Sequence, residues 1–149
     1  MILYRITKRA YADLSGTGAR LYGGRWNSEG RSMVYLTSSR SLAVLEALVH
    51  LSPTNLPLDF CIMTINAPDN FAEMKIKDLP SNWYEYPESN SLKHVGNDFL
   101  LKQKHLLLKV PSAVVKEEYN YLLNPLHPNA GLVKIISITP FAFDQRLTD

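Results

Sequence analysis

Runs of strand-forming residues recur from one end of the chain to the other with only two helical windows between them, and this constrains the fold more than any other feature. Ile2–Thr7, Met33–Thr37, Leu58–Ile65, Leu106–Val115 and Val133–Thr139 have the apolar and β-branched content of strands, the fourth broken by Pro111. Leu42–Leu51 and Ser91–Gln103 show helical spacing, the second through Leu92, Val95 and Phe99. Ser38 or Ser39 caps the first, Ser52-Pro53 ends it, and Ser89 to Ser91 supply the cap of the second. Asn66–Asn90 is interrupted by Pro68, Pro80 and Pro87 and reads as irregular, with at most a short strand near Glu73–Ile76. Glu117–Gly131, rich in asparagine and proline, reads as a loop. Strands that outnumber scattered helices predict an α+β fold, one compact domain over residues 1–149 around a mixed, mostly antiparallel sheet.

Composition excludes several classes of function. At 149 residues with 46% hydrophobic side chains, the chain is long enough to bury a real core. A net charge of +2, with the basic residues dispersed, gives no support for direct nucleic-acid binding. The start, MILYRITKRAY, carries charges early and no long apolar run, so neither a signal peptide nor a membrane span is expected and the cytoplasm is the expected location. The single cysteine, Cys61, lies in an apolar run and reads as a small buried hydrophobe. His50, His94, His105 and His127 lack metal-ligand spacing, so no metal site is expected. Gly23-Gly24 lacks the further glycines and the lysine of a phosphate loop.

The chemistry concentrates in GGRWNSEGRSMVYLTSSRSLAVLEALVHL. Glu46 interrupts the apolar run from Leu42 to Val49, and an unpartnered buried carboxylate is costly. On a helix it shares a face with Ser39, Ala43 and His50, so its simplest reading, taken alone, is a solvated side chain paired with His50. Its setting points further. Leu21–Trp26 reads as a turn that delivers Arg25, with a second turn at Asn27–Gly30, and Tyr35 lies on the strand face shared by Met33 and Thr37, opposite Val34 and Leu36. A guanidinium can grip a diphosphate, an aromatic ring can stack on a planar base, and a carboxylate can stabilise positive charge on a ribose. Together they suit a nucleotide whose glycosidic bond is broken.

The segments GGRWN..G...VYL..S...A..E...H, VPSAVV and EYNYLLNPLHP, in this order over nearly the whole chain, resemble the RES-domain toxins, which pair with Xre-type antitoxins in bacteria. Arg25, Glu46 and Ser112 match the three residues that name the family, and Tyr35 the aromatic that accompanies them. Lys116 departs from the pattern, standing where a proline is more usual. The resemblance implies a fold like that of the ADP-ribosyltransferases, with Arg25, Tyr35, Glu46 and Ser112 as catalytic residues; Arg25 and Tyr35 are expected to contact substrate, with Asn27 and Asn120 as second-rank candidates for further polar contacts. It implies NAD as substrate with no separate cofactor, an Xre-family helix-turn-helix antitoxin as partner, and growth arrest as outcome; a homodimer is compatible with it. The expected roles are Glu46 stabilising charge on the ribose, Arg25 holding a phosphate, Tyr35 packing on nicotinamide or ribose, and Ser112 orienting Glu46 or the ribose. The expected reaction is cleavage of the nicotinamide–ribose bond of NAD with water as first-choice acceptor, as an NAD glycohydrolase, or with phosphate, as a phosphorylase. Transfer of ADP-ribose to a protein is the rival within enzymes, and a binding module with a structural Arg25–Glu46 ion pair is the rival outside them.

Overall fold

The computed structural model describes residues 1–52, 54 and 56–148; of the stop expected at Ser52-Pro53, Pro53 lies outside the described residues, and the helix ends at Leu48 rather than at the expected Leu51. Seven strands form one sheet: β1 (Ile2–Lys8), β2 (Val34–Thr37), β3 (Phe60–Asn66), β4 (Ala72–Glu73), β5 (Leu107–Pro111), β6 (Tyr119–Leu123) and β7 (Lys134–Pro140). Their spatial order is β4-β5-β6-β2-β1-β3-β7, and every pairing is antiparallel except the short β4–β5 edge. The sheet is therefore mixed and mostly antiparallel, as expected. Among the described residues three α-helices accompany it: α1 (Thr17–Tyr22), α2 (Arg40–Leu48) and α3 (Asn90–Lys102).

Alternation along the central strands sorts side chains onto two faces. Val34 and Leu36 of β2 and Tyr121 and Leu123 of β6 join Leu3, Met63, Ile65 and Leu107 in one buried cluster. The opposite face, reached through Leu122, Leu108 and Val110, is covered by Trp26, Trp83 and the α3 residues Leu92, Phe99 and Leu100. Each such fully buried side chain contributes about 1.5–3 kcal/mol of transfer free energy, so these two layers dominate the stability.

Three expectations need correction. The segment from Tyr119 to Leu123, expected in a loop, is β6, a central strand bonded to β2 on one side and β5 on the other. Its asparagine masks an alternating Tyr-Asn-Tyr-Leu-Leu pattern, and burial of Tyr121, Leu122 and Leu123 overrides the turn chemistry of the following Asn-Pro. Leu21 and Tyr22 belong to α1, so the turn before Arg25 begins only at Gly23, where φ is 71°. Leu58, expected in a buried strand, is fully exposed, and β3 starts at Phe60. Both caps are as expected: Ser39 Oγ accepts from Leu42 N–H at 3.1 Å, and Ser89 Oγ from Ser91 N–H at 3.2 Å. Cys61 is buried, also as expected.

Close approach of α3 to the loop carrying Arg25 depends on one glycine. A Cβ on Gly96 would lie 1.7 Å from the Trp26 carbonyl oxygen, an overlap that only backbone movement could relieve. Beside it Asn97 receives Ser28 N–H at 3.1 Å and donates to Ser28 Oγ at 2.8 Å, fixing the loop to the helix. Gly96→Ala is therefore expected to cost about 1–3 kcal/mol, the range of overpacking. Gly131→Ala, which meets nothing within 4 Å, should stay within about 0.5 kcal/mol. Urea denaturation of the two variants side by side checks this.

Candidate active site

Glu46 lies half-buried on α2, within hydrogen-bonding reach of β6 and of the turn after β5. Its Oε1 accepts two short bonds, from Ser112 Oγ and from Asn120 Nδ2, each 2.7 Å. Among the described residues nothing donates to Oε2. Ser112 follows β5 and is fully buried; its Oγ also accepts from Val114 N–H at 3.1 Å and Val115 N–H at 3.0 Å. These two amides fix the hydroxyl, leaving its proton directed at Glu46. Asn120 sits on β6 directly opposite Thr37 of β2, two positions along from Tyr35, so Asn120 and Tyr35 share one face of the sheet. Charge-assisted bonds of this length are the strong class, which gives the carboxylate a fixed orientation.

Tyr35 completes a second network. Its hydroxyl donates to Asn27 Oδ1 at 2.6 Å and accepts from Trp26 N–H at 3.1 Å. Burial is the main cause that pushes the Tyr35 hydroxyl well above the ordinary tyrosine value. Asn27 is fully buried, and its Nδ2 donates to the carbonyls of Ala19, Ser28 and Arg31 at 2.9–3.1 Å. All its polar atoms are thus committed inside the protein. Through these bonds Asn27 stitches the Gly23–Arg31 loop to Tyr35. Gly24 is part of the stitch, because a Cβ there would lie 2.5 Å from the Tyr35 hydroxyl oxygen.

Arg25 projects from this stitched loop. Its Nη1 donates to the carbonyls of Trp83 at 3.1 Å and Glu85 at 2.9 Å. Neutral carbonyls orient the guanidinium without cancelling its charge, and among the described residues it forms no ion pair. Neither structural alternative for Glu46 is realised: among the described residues the ion pairs are Lys93–Glu88, Lys102–Asp98, Lys109–Glu73 and Arg146–Asp144, with no contribution from His50 or Arg25 to Glu46. The Trp83 and Glu85 carbonyls and the Asn97–Ser28 pair were not anticipated from the sequence. Backbone carbonyls carry no side-chain signature, and nothing local in the chain joins Ser28 to a residue 69 positions on.

Residues 2–144 match the RES domain family. The chain belongs to the RES domain family. Toxin Res of Pseudomonas putida is 42% identical over 149 residues, spanning 99% of both chains. Toxin Res of Photorhabdus laumondii is 41% identical over 154 residues, covering 99% of this chain and 97% of its own length. The Prs ADP-ribosylating toxin of a Sphingobium species is 40% identical over 139 residues, 91% of this chain and 86% of its own. The fold is similar to that in the crystal structure of the M. tuberculosis MbcT-MbcA toxin-antitoxin complex, with a TM-score of 0.76 at 18% identity, over 94% of this chain and 83% of that one. In this RES domain, Glu46, Ser112 and Asn120 form one bonded group, Tyr35, Asn27 and the Arg25 loop a second, and Tyr35 and Asn120 line the same sheet face.

The Tyr35 network has a pH signature. A neutral phenol is favoured in the folded protein, so folding retains a proton that the unfolded chain releases near pH 10. The corresponding stability is complete below that value and is lost as pH rises from it toward the raised value in the fold. Tyr35→Phe leaves Trp26 N–H and Asn27 Oδ1 without their partner, so it should cost about 1–3 kcal/mol at neutral pH. It should also flatten the alkaline fall in stability, which urea midpoints measured between pH 7 and pH 11 would reveal.

Proposed function

We propose that this chain is the toxin of a toxin–antitoxin pair and that it degrades NAD by cleaving the nicotinamide–ribose bond. The observation carrying this reading is the Glu46 carboxylate, gripped at Oε1 by two neutral donors while Oε2 is uncommitted beside the sheet face that presents Tyr35. The demand of the reaction is specific. Nicotinamide leaves as a neutral base when its pyridinium nitrogen takes the bonding electron pair, so the difficulty is the oxocarbenium-like charge left on the ribose. A carboxylate fixed before the reaction stabilises that charge without reorganising. Water then adds to the anomeric carbon and loses a proton, giving ADP-ribose, nicotinamide and one proton.

Arg25 supplies the grip on the diphosphate through the guanidinium edge not used by the Trp83 and Glu85 carbonyls. Tyr35, whose hydroxyl is turned inward, contributes its ring to the nicotinamide or ribose. Ser112 and Asn120 are positioning residues for Glu46. The relatives named Toxin Res and the likeness to a chain of a toxin–antitoxin complex support the biological half of the reading. We place the activity in the cytoplasm, where NAD is plentiful, and the control in an Xre-type antitoxin; among the described residues no helix is long and apolar enough to cross a membrane.

A second reading keeps the same bond cleavage but changes the acceptor. The Sphingobium relative is named an ADP-ribosylating toxin, so transfer to a protein side chain is the alternative to transfer to water. Purified protein incubated with NAD separates them: hydrolysis releases free ADP-ribose in step with nicotinamide, whereas transfer leaves ADP-ribose on an acceptor that mass spectrometry detects.

Glu46→Gln preserves shape and hydrogen bonding while removing charge, so nicotinamide release should fall by about two orders of magnitude or more with an unchanged urea midpoint. Near-wild-type release by that variant would sink the assignment. Arg25→Lys should fail to restore turnover, because an ammonium does not reproduce the planar fork that binds carbonyls on one edge and phosphate on the other. In growing bacteria, arrest should track NAD loss and be relieved by coexpressed antitoxin. Arrest with cellular NAD unchanged would point to protein modification.

A further inference from the structure

Two loops hold the two charged groups of the site. The 80–88 loop supplies the Trp83 and Glu85 carbonyls to Arg25, and the 112–118 loop supplies Ser112 to Glu46. They are joined by a cation–π contact: Lys116 Nζ lies 3.4 Å from the centroid of the Tyr84 ring. Tyr84 sits between the two residues whose carbonyls orient Arg25, and Lys116 follows directly the amides that fix Ser112. The ammonium thus spans the gap between the supports of Arg25 and of Glu46. Lys116 is exposed and, among the described residues, takes part in no ion pair.

We propose that Lys116 is a second anion-binding group of this site, sharing with Arg25 the charge of the substrate's diphosphate. A diphosphate brings two negative charges, whereas Arg25 alone brings one positive charge and has already committed Nη1 to carbonyls. An exposed cation–π contact is a weak hold, about 0.5–1 kcal/mol, so a phosphate oxygen can take the ammonium from the ring at little cost. Lysine suits this exchange better than arginine would, since a compact charge on a flexible stem can swing between two partners.

The proposal rests on the dinucleotide reading of the site, and the test separates the two. ADP-ribose and inorganic pyrophosphate are titrated into wild type, Lys116→Met, Lys116→Arg and Tyr84→Leu by calorimetry at two salt concentrations, and NAD turnover is measured for each. Lys116→Met should weaken both probes about 3- to 10-fold and flatten the salt dependence, as expected on losing one phosphate contact. Its lost kcat/KM should appear mainly in KM. Lys116→Arg should recover most of the binding, and Tyr84→Leu should bind ADP-ribose at least as tightly as wild type, because the ring competes with phosphate.

Unchanged ADP-ribose affinity in Lys116→Met, with NAD still consumed, overturns the role of Lys116 and leaves the enzyme reading standing. Tyr84→Leu matching the loss in Lys116→Met would make the contact a structural clasp, also overturning it. Pyrophosphate binding that depends on Lys116 without any NAD turnover overturns the dinucleotide reading while the anion site survives. Failure of wild type to bind either probe overturns the anion site itself.

Discussion

The two hydrogen bonds that Ser112 and Asn120 donate to Glu46 Oε1 join α2 to β6 and to the turn after β5, across 66 and 74 residues of sequence. Without them Glu46 would be a lone carboxylate in an apolar helix, free to turn to water. With them its orientation is set by the strands, because Asn120 is locked into the ladder between Thr37 and Val110. The arrangement has a cost that argues for its purpose. Asn120 Oδ1 is buried with no hydrogen-bond partner among the described residues, a deficit of about 1–3 kcal/mol that a valine at the same place on a central strand would avoid. Such local violations collect where function requires them.

The second network is arranged differently. Tyr35 and Asn27 place their polar atoms inward, and what they present outward is a ring and a loop held at its root. Rigidity reaches Arg25 from two directions: Tyr35 and Asn27 on the sheet side, and Gly96 with Asn97 on the α3 side. Arg25 and Ser112 thus stand on loops, but each loop is tied to a strand or a helix. Positioning of this quality is what catalytic constellations need from their surroundings.

Sequence reading succeeded where periodicity and chemistry were local. Ser39 and Ser89 announce their helices by capping, β2 shows its two faces by alternation, and Glu46 stands out because it breaks an apolar run. It failed where a segment's fate is decided by its neighbours. Tyr119–Leu123 contains an asparagine that no isolated strand would favour, and it becomes a strand because β2 and β5 flank it. That one error also hid the geometry of the site, since only a strand at this place puts Asn120 in reach of Glu46 on the face that carries Tyr35. Asn27 illustrates the converse: its residue type fits a ligand contact, and only its complete burial reveals the stitch.

Arg25 and Glu46 carry opposite charges on the same domain and do not pair. Had they paired, each would have satisfied the other, and neither charge would remain available to a ligand at the site; extracting either one from a buried pair is expensive. Instead each is oriented by neutral partners, the guanidinium by two carbonyls and the carboxylate by a hydroxyl and an amide. Dipolar partners fix direction while leaving the net charge intact. A site built this way can attract an anion at one end and stabilise a developing cation at the other. A zwitterionic dinucleotide, with its diphosphate and its pyridinium ribose, asks for that polarity.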